Sequence, residues 1–157
     1  MMKKIADVLT ADSVKVPLSG SNREEVLKEL LEILSTKSIF KDKNEIYKAV
    51  VERERIMTTG VGNGIAIPHC KHDSCKDFRI ALGITEEDIE FQAVDQHPVH
   101  IIFLLVGPNN SAGMHIKLLS RITRLLSKVE IRQQLLESKS PQEAFDCIIE
   151  EEQRQFG

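Results

Sequence analysis

The sequence predicts a single α/β domain over residues 1–157, with a mixed β-sheet flanked by helices on both faces. One observation is the nearly continuous apolar run Pro98–Val106, which is typical of a central strand buried on both faces. The other is the helical spacing of apolar residues in segments on either side of this run. The elements follow in the order β, α, α, β, β, β, α, α, α, which helices packed on a mixed sheet accommodate. A length of 157 residues fits one domain.

The elements before the central strand follow from local signals. Ser13–Leu18 predicts a short strand, and Pro17 restricts it to an edge of the sheet because proline has no N–H to donate. Ser21–Glu24 matches a capping box, and apolar residues at helical spacing follow it. Asp42–Glu45 predicts the start of a second helix. Ile65–Ile67 predicts a short strand, which Pro68 ends.

The elements around and after the central strand are predicted in the same way. Phe78–Thr85 alternates in part and predicts a strand. His115–Leu126 is an amphipathic helix whose leucine and isoleucine stripe predicts core packing rather than a binding groove. A short helix is expected around Ile131–Leu136. Ser140–Glu143 combines a capping serine, a proline at the first helical position and a glutamate, so a last helix begins there.

Composition excludes several classes of function. A net charge of −3 and the absence of tryptophan argue against nucleic-acid binding, which needs a basic surface and often aromatic stacking platforms. The longest apolar run, Ile101–Val106, is far too short to insert into a membrane. The N-terminal segment lacks the apolar stretch of a signal peptide. Three cysteines in a chain that needs no disulfides favour a reduced, cytoplasmic protein.

The segment from Thr58 to His72 is the most unusual in the chain. Three glycines alternate within Gly60–Gly64, where they permit positive φ and expose backbone N–H groups that resemble an anion-binding nest. His69 follows directly behind the rigid Pro68, so an imidazole that carries an anionic group is one interpretation. A tight turn beside a surface histidine is the alternative. The spacing matches neither a Walker loop nor a dinucleotide-binding fingerprint.

Four segments carry a resemblance to a known family. Thr59–His69 resembles the active-site signature of the fructose/mannitol class of enzyme IIA domains, part of the bacterial phosphoenolpyruvate-dependent sugar phosphotransferase system. The class includes stand-alone nitrogen-regulatory enzyme IIA proteins. Phe91–His100 resembles the family's approach to its central strand, and Met114–Leu119 resembles its second-histidine helix. Arg53-Glu54 is similar to the pair that precedes the glycine-rich loop. The resemblance covers nearly the whole chain.

The resemblance implies a phosphotransferase component with a defined site. His69 matches the histidine that accepts the phosphoryl group, His115 matches a second active-site histidine, and Arg53 matches an arginine near the site. We expect backbone N–H groups of the glycine-rich loop to bind the phosphoryl oxygens; these belong to Gly60, Gly62, Asn63 and Gly64. No metal or organic cofactor is required.

The resemblance also implies the partners. The donor is the small phosphocarrier HPr or its nitrogen-branch paralogue, and the group then passes to an enzyme IIB or signals to regulatory targets. Both roles use the same site. The sequence leaves no room for a IIB or HPr domain within these residues, so we expect the domain to act in trans on a partner that docks against an apolar rim.

Two other classes of function are weighed against this one. A regulatory binding module without phosphotransfer would need neither His69 nor His115. A metal-binding or hydrolytic enzyme would use the spacing His69-x2-His72-x2-Cys75, which is tight for a tetrahedral site on one loop. Cys70 beside His69 is expected to be an ordinary thiol rather than a nucleophile, because neighbours on an extended chain point to opposite faces.

Structural roles are expected for the other polar residues. His100 lies within the apolar run and is expected to be a core histidine. His72 and His97 are expected on surface loops, and Glu150–Glu152 as an exposed acidic helix end.

Overall fold

In the computed structural model, which describes residues 4–157, a mixed six-stranded β-sheet forms the centre of the molecule. Its strands are β1 (Val14–Lys15), β2 (Gly60–Gly62), β3 (Ile65–Ala66), β4 (His69–Lys71), β5 (Arg79–Ile89) and β6 (Val99–Gly107). The helices are α1 (Ile5–Val8), α2 (Arg23–Ser35), α3 (Lys43–Ile56), α4 (Ala112–Leu126), α5 (Val129–Glu137) and α6 (Pro141–Phe156). A 3₁₀ turn spans Ala11–Ser13. The first three residues of the N-terminal segment discussed above lie outside the described residues.

The central strand is β6, as the sequence predicts. The sheet order is β1-β5-β6-β3-β2, with β4 also paired to β6. Strand β5 is antiparallel to β6, whereas β3 and β4 are both parallel to it and follow one another along its other edge. Ile65 lies opposite Ile101, and His69 lies opposite Leu105. The mixed sheet is therefore confirmed. His69, on β4, is held beside the C-terminal end of the buried central strand β6.

Helices cover both faces of the sheet, which confirms the predicted fold class. Alternate residues of β6 point to opposite sides, as Phe103 and Leu104 illustrate. The Phe103 side packs in a core with α1, α4, α5 and α6, and the Leu104 side packs in a second core with α2 and α3. No helix within residues 4–157 is long and apolar enough to cross a membrane.

The strand boundaries differ from the predicted ones. Strand β5 continues to Ile89 through the acidic residues Glu86–Asp88, whose charge masks the strand in the sequence. Strand β1 has two residues only, although Leu18 N–H resumes pairing with the Ile84 carbonyl at 2.9 Å beyond Pro17. Its edge position is confirmed. Strands β2 and β4 were not predicted, because three-residue strands carry too little pattern.

Two of the predicted helix signals need correction. The capping interaction of α2 is shifted by one residue: Asn22 caps the helix by accepting from the Glu25 N–H at 2.9 Å, and the Ser21 N–H donates to the Glu25 carboxylate at 2.8 Å. In α4 the predicted apolar stripe is not wholly core. Ile116 is 65% exposed, because the buried stripe of α4 runs through His115, Leu118 and Ile122 and leaves this position facing solvent.

The predicted exposed acidic end of α6 is only partly correct: Glu150 is exposed, whereas Glu151 and Glu152 are buried. Glu152 is 3% exposed, accepts from the N–H groups of Ile5 and Ala6 at 2.6 and 2.9 Å, and pairs with Arg121 at 3.3 Å. Glu151 is 1% exposed and pairs with Lys128 at 3.0 Å. These buried charges are compensated by donors and cations, and Glu152 fastens the first helix to the last.

Candidate active site

His69 lies on β4, where the chain leaves the hairpin β2–β3. Its Nδ1 lies 2.8 Å from the Ile67 carbonyl oxygen. A carbonyl only accepts hydrogen bonds, so Nδ1 carries the proton and Nε2 keeps its lone pair. Arg53 Nη2 is 3.5 Å from this Nε2. The fold therefore presents His69 as a nucleophile with one defined reactive nitrogen.

His115 lies beside His69 and belongs to α4, the helix that follows β6. It lies in the first turn of α4, and its ring centroid is 5.4 Å from that of His69. The side chain is only 3% exposed, with the Phe78 ring 6.1 Å away. Neither ring nitrogen has a hydrogen-bond partner within the described residues. A buried donor without a partner is costly, which favours a ligand that supplies an oxygen when the site is occupied.

The last turn of α3 supplies the cation of the site. Arg53 is half-buried, and its Nη1 donates to the Met57 carbonyl at 3.4 Å. This contact orients the guanidinium toward His69. A guanidinium binds the oxygens of a phosphoryl group through two parallel N–H bonds, so its placement suits an anionic group on Nε2. The three predicted site residues are thus brought together from α3, β4 and α4.

The two histidines share a cleft of about 410 Å³. Its lining also includes residues that the sequence analysis did not assign to the site; these are Ala49, Cys70, Lys71, Ile116 and Leu119. Lys71 adds a second cation next to His69, and exposed Ile116 adds an apolar edge. The sequence around Lys71 and Ile116 has no unusual feature. Their place beside His69 follows only from the positions of β4 and α4 in the fold.

Burial keeps both imidazoles neutral. It lowers the pKa of His69 below the ordinary 6.5, and the charge of Arg53 adds to this effect, although the hydrogen bond to Ile67 opposes it. Burial, with smaller effects of His69 and Lys71, lowers the pKa of His115 to about 4. At neutral pH His69 therefore has a free lone pair and His115 is a neutral N–H donor.

These shifts predict a pH dependence of stability. The unfolded chain binds protons on these histidines near pH 6.5, whereas folded His115 binds one only near pH 4. The free energy of unfolding is therefore expected to decrease as the pH falls from about 6.5 to about 4. NMR titration of the histidine rings, with chemical denaturation at several pH values, measures both effects. A His115 ring that titrates at its ordinary pKa would contradict the prediction.

Comparison with known proteins identifies the family. Residues 7–151 match the family model described as phosphoenolpyruvate-dependent sugar phosphotransferase system, EIIA 2. The chain belongs to this family. It is 32% identical, over 92% of its length, to the fructose-specific EIIABC component of Bacillus subtilis, of which it spans 23%. It is 27% identical to the nitrogen regulatory protein of Pseudomonas aeruginosa, an alignment that covers 95% of this chain and 97% of that one.

A solved structure supports the same conclusion for this enzyme IIA domain. The nitrogen regulatory protein IIA-Ntr of Neisseria meningitidis superposes with a TM-score of 0.85 at 27% identity, covering 92% of this chain and 98% of that one. The predicted family is therefore confirmed, as is the predicted class of protein, a phosphotransferase component.

The glycine-rich segment of the enzyme IIA domain does not take the predicted role. Gly62, Asn63 and Gly64 have φ values of 102°, 57° and 76°, so the expected positive φ is present. However, the segment folds as the hairpin β2–β3, and strand β3 with Pro68 separates it from His69. The Gly60 N–H donates to Thr58 Oγ1 at 3.0 Å, and the Asn63 N–H donates to the Asp95 carboxylate at 3.1 Å.

The cleft lining therefore includes none of the four residues predicted to bind phosphate, Gly60, Gly62, Asn63 and Gly64. The prediction that their backbone groups hold the phosphoryl oxygens does not fit this geometry. Their conformations serve the hairpin instead.

The remaining histidines have ordinary contacts. His100 Nε2 lies 2.8 Å from Asp88, and its side chain is 29% exposed, so it is not the core residue predicted. His72 is half-buried on a loop and accepts from the Ser74 N–H at 2.9 Å, and His97 is exposed on a loop, as expected.

Neither the cysteines nor the His69-x2-His72-x2-Cys75 spacing forms a second reactive or metal-binding site within residues 4–157. Cys70 is 7% exposed, and burial raises the pKa of its thiol to about 11, which disfavours a thiolate nucleophile. Cys75 donates to the Asp77 carbonyl at 3.0 Å. Within residues 4–157 no three His, Cys, Asp or Glu side chains are arranged to hold a metal ion, so His69, His72 and Cys75 do not form one site.

Proposed function

We propose that His69 Nε2 accepts a phosphoryl group from phosphorylated HPr or its nitrogen-branch paralogue. The observation that carries this proposal is the pairing of a defined Nε2 lone pair with two groups suited to an anion. Arg53 lies 3.5 Å from Nε2, and His115 is a buried N–H donor with its ring centroid 5.4 Å away. We also infer that residues 1–157 form one such enzyme IIA domain.

The transfer needs no further catalytic group. The Nε2 lone pair attacks phosphorus as the phosphorus–nitrogen bond to the donor histidine breaks, and the donor ring keeps the electron pair. The protein positions the reactants and stabilises the charge of the transferred group. Arg53 and His115 would bind its oxygens, and Lys71 would add positive charge. The same steps in reverse pass the group from His69 to an acceptor.

The partner surface proposed for this domain is an apolar rim beside the cleft. Ile116, which lines the cleft, is 65% exposed, and Ile56 and Met57, at the end of α3, are 82% and 63% exposed. The Met57 carbonyl accepts from Arg53, so this end of α3 adjoins the site. Exposed apolar side chains around a reactive group suit a small, transient interface.

The acceptor is proposed to be an enzyme IIB or a regulatory target in the cytoplasm. Relatives named as fructose-specific components and relatives named as nitrogen regulatory proteins both match over more than nine tenths of this chain. Both roles require a phosphohistidine on the same cleft, so the site is compatible with either. The domain would act on a partner that docks at the rim.

Incubation with phosphoenolpyruvate, enzyme I and HPr tests this function. We expect an acid-labile, base-stable phosphoryl group on the wild-type chain, with the ³¹P NMR shift of an Nε2-phosphohistidine and with ring correlations that assign it to His69. Omitting HPr is the control, and it should prevent labelling. A folded chain that stays unlabelled would contradict the proposal and favour a regulatory binding module without phosphotransfer.

A further inference from the structure

Glu54 is a buried carboxylate with no role in the transfer described above. It lies in the last turn of α3, next to Arg53, and is 2% exposed. Within residues 4–157 it has no ion-pair partner. A carboxylate in such a place is costly unless hydrogen bonds satisfy both of its oxygens.

The partners of Glu54 all belong to one residue. Oε2 accepts from the Thr59 backbone N–H at 2.7 Å, and Oε1 accepts from the Thr59 hydroxyl at 2.6 Å. Thr59 is itself 5% exposed, so water does not compete for these bonds. The carboxylate therefore fixes both the backbone and the side chain of the residue that precedes β2.

From Thr59 the hydrogen bonds continue to the reactive histidine. The Ile67 N–H donates to the Thr59 carbonyl at 3.1 Å. The Ile67 carbonyl accepts from His69 Nδ1 at 2.8 Å. Two residues, Thr59 and Ile67, thus link the position of the Glu54 carboxylate to the nitrogen of His69 that does not react. The neighbouring Arg53 lies at the nitrogen that does.

We propose that Glu54 is a positioning residue, which acts through Thr59 and Ile67 to keep the proton of His69 on Nδ1 and the lone pair on Nε2. This inference rests on the proposed function of His69. As Nε2 gives its lone pair to phosphorus, positive charge develops on the ring and the Nδ1–H becomes a stronger donor. The Ile67 carbonyl, held in place through Thr59, accepts from that donor at a fixed position. The negative charge of Glu54 also acts on His69 directly and raises its pKa, so it favours the positive charge that develops on the ring.

Two substitutions separate the charge of Glu54 from its geometry. In E54Q the amide can accept from the Thr59 N–H and donate to its hydroxyl, so the geometry is largely kept while the charge is lost. In E54A both bonds are lost. The matched controls are E52Q and E52A, since Glu52 is exposed on the same helix two residues earlier.

The readouts are the His69 tautomer and the rate of phosphoryl transfer. Long-range ¹H–¹⁵N correlation on the unphosphorylated protein measures the fraction of His69 with its proton on Nδ1. We expect E54A to lower this fraction and to slow labelling by phosphorylated HPr about tenfold or more, because a displaced nucleophile loses its alignment. E54Q should lie between E54A and wild type, and both Glu52 variants should match wild type.

Each outcome either supports or overturns the inference. If wild type is labelled and E54A shows the same tautomer and rate as E52A, Glu54 has no positioning role, even if its thermal stability falls. If wild type itself is not labelled, the proposed function fails, but a shifted tautomer in E54A still supports the link from Glu54 to His69. If E54A does not fold, E54Q and T59V decide, since T59V removes only the hydroxyl donor. Wild-type tautomer and rate in both would overturn the inference.

Discussion

Replacing His69 with alanine is expected to abolish labelling by phosphorylated HPr, with an initial rate at least about 1,000-fold below wild type. The variant keeps Arg53 and the buried N–H donor of His115, so only the nucleophile is lost. His115 is not expected to replace it, because a side chain that is 3% exposed is out of reach of a histidine on another protein. Radioactive phosphoenolpyruvate with enzyme I and HPr measures the rate.

The same substitution at His97, which is exposed on a loop, provides the matched control and should label like wild type. Circular dichroism of both variants checks that they fold. Label that persists in His69→Ala, mapped by mass spectrometry to another residue, would show that the acceptor is wrongly assigned.

The fold was predictable where burial imposes a period on the sequence. The apolar run that forms β6 and the stripes of α2 and α4 indicate helices packed around a central strand. Short elements carry no such period. Strand β4 has only three residues, and its pairing to β6 depends on a tertiary contact between His69 and Leu105. The position of the reactive histidine on a strand therefore could not be read locally.

The sequence predicted which side chains meet at the site, but not which backbone segments surround them. His69, His115 and Arg53 meet as the family resemblance implies, whereas the glycine-rich loop lies elsewhere because Pro68 and β3 separate it from His69. The Gly60 N–H donates to the nearby Thr58 hydroxyl, and the Asn63 N–H donates to the Asp95 carboxylate, which is distant in the sequence. No sequence pattern predicts such pairings.

The buried glutamates Glu54 and Glu152 fall on the apolar stripes of their helices, although their charge suggests an exposed position. Glu54 continues the buried spacing of Ile46 and Val50 on α3, at intervals of four residues. Glu152 continues the spacing of Ala144 and Ile148 on α6 in the same way. A glutamate that falls on the apolar stripe of a helix is thus better interpreted as a buried acceptor than as part of a solvated charge run.

The two nitrogens of the His69 ring face groups of different charge. Arg53 and Lys71 place cations where the phosphoryl oxygens would lie, while the proton on Nδ1 faces the carbonyl of Ile67 on the opposite side of the ring. His115 adds a donor that carries no charge at neutral pH, because burial holds its pKa at about 4. A neutral donor binds the group without repelling the nearby cations, and this property can be tested.

Replacing His115 with alanine is expected to slow phosphoryl transfer about 100-fold while leaving His69 able to accept the group. The loss follows from removing one N–H donor to the transferred oxygens, and the Nε2 lone pair remains. His115→Gln keeps a neutral N–H at a similar reach and should recover a substantial part of the rate. Time courses of labelling with radioactive phosphoenolpyruvate compare the two variants with wild type.

The comparison of alanine with glutamine decides which form of His115 acts. If the neutral imidazole is the donor, glutamine should be faster than alanine, and the wild-type rate should not follow the titration of a second histidine between about pH 6 and 8. If glutamine is no better than alanine, a cationic His115 is required and the neutral-donor assignment is wrong. Unchanged transfer in both variants would remove His115 from the site altogether, and the unpartnered nitrogens of its buried ring would then need another ligand.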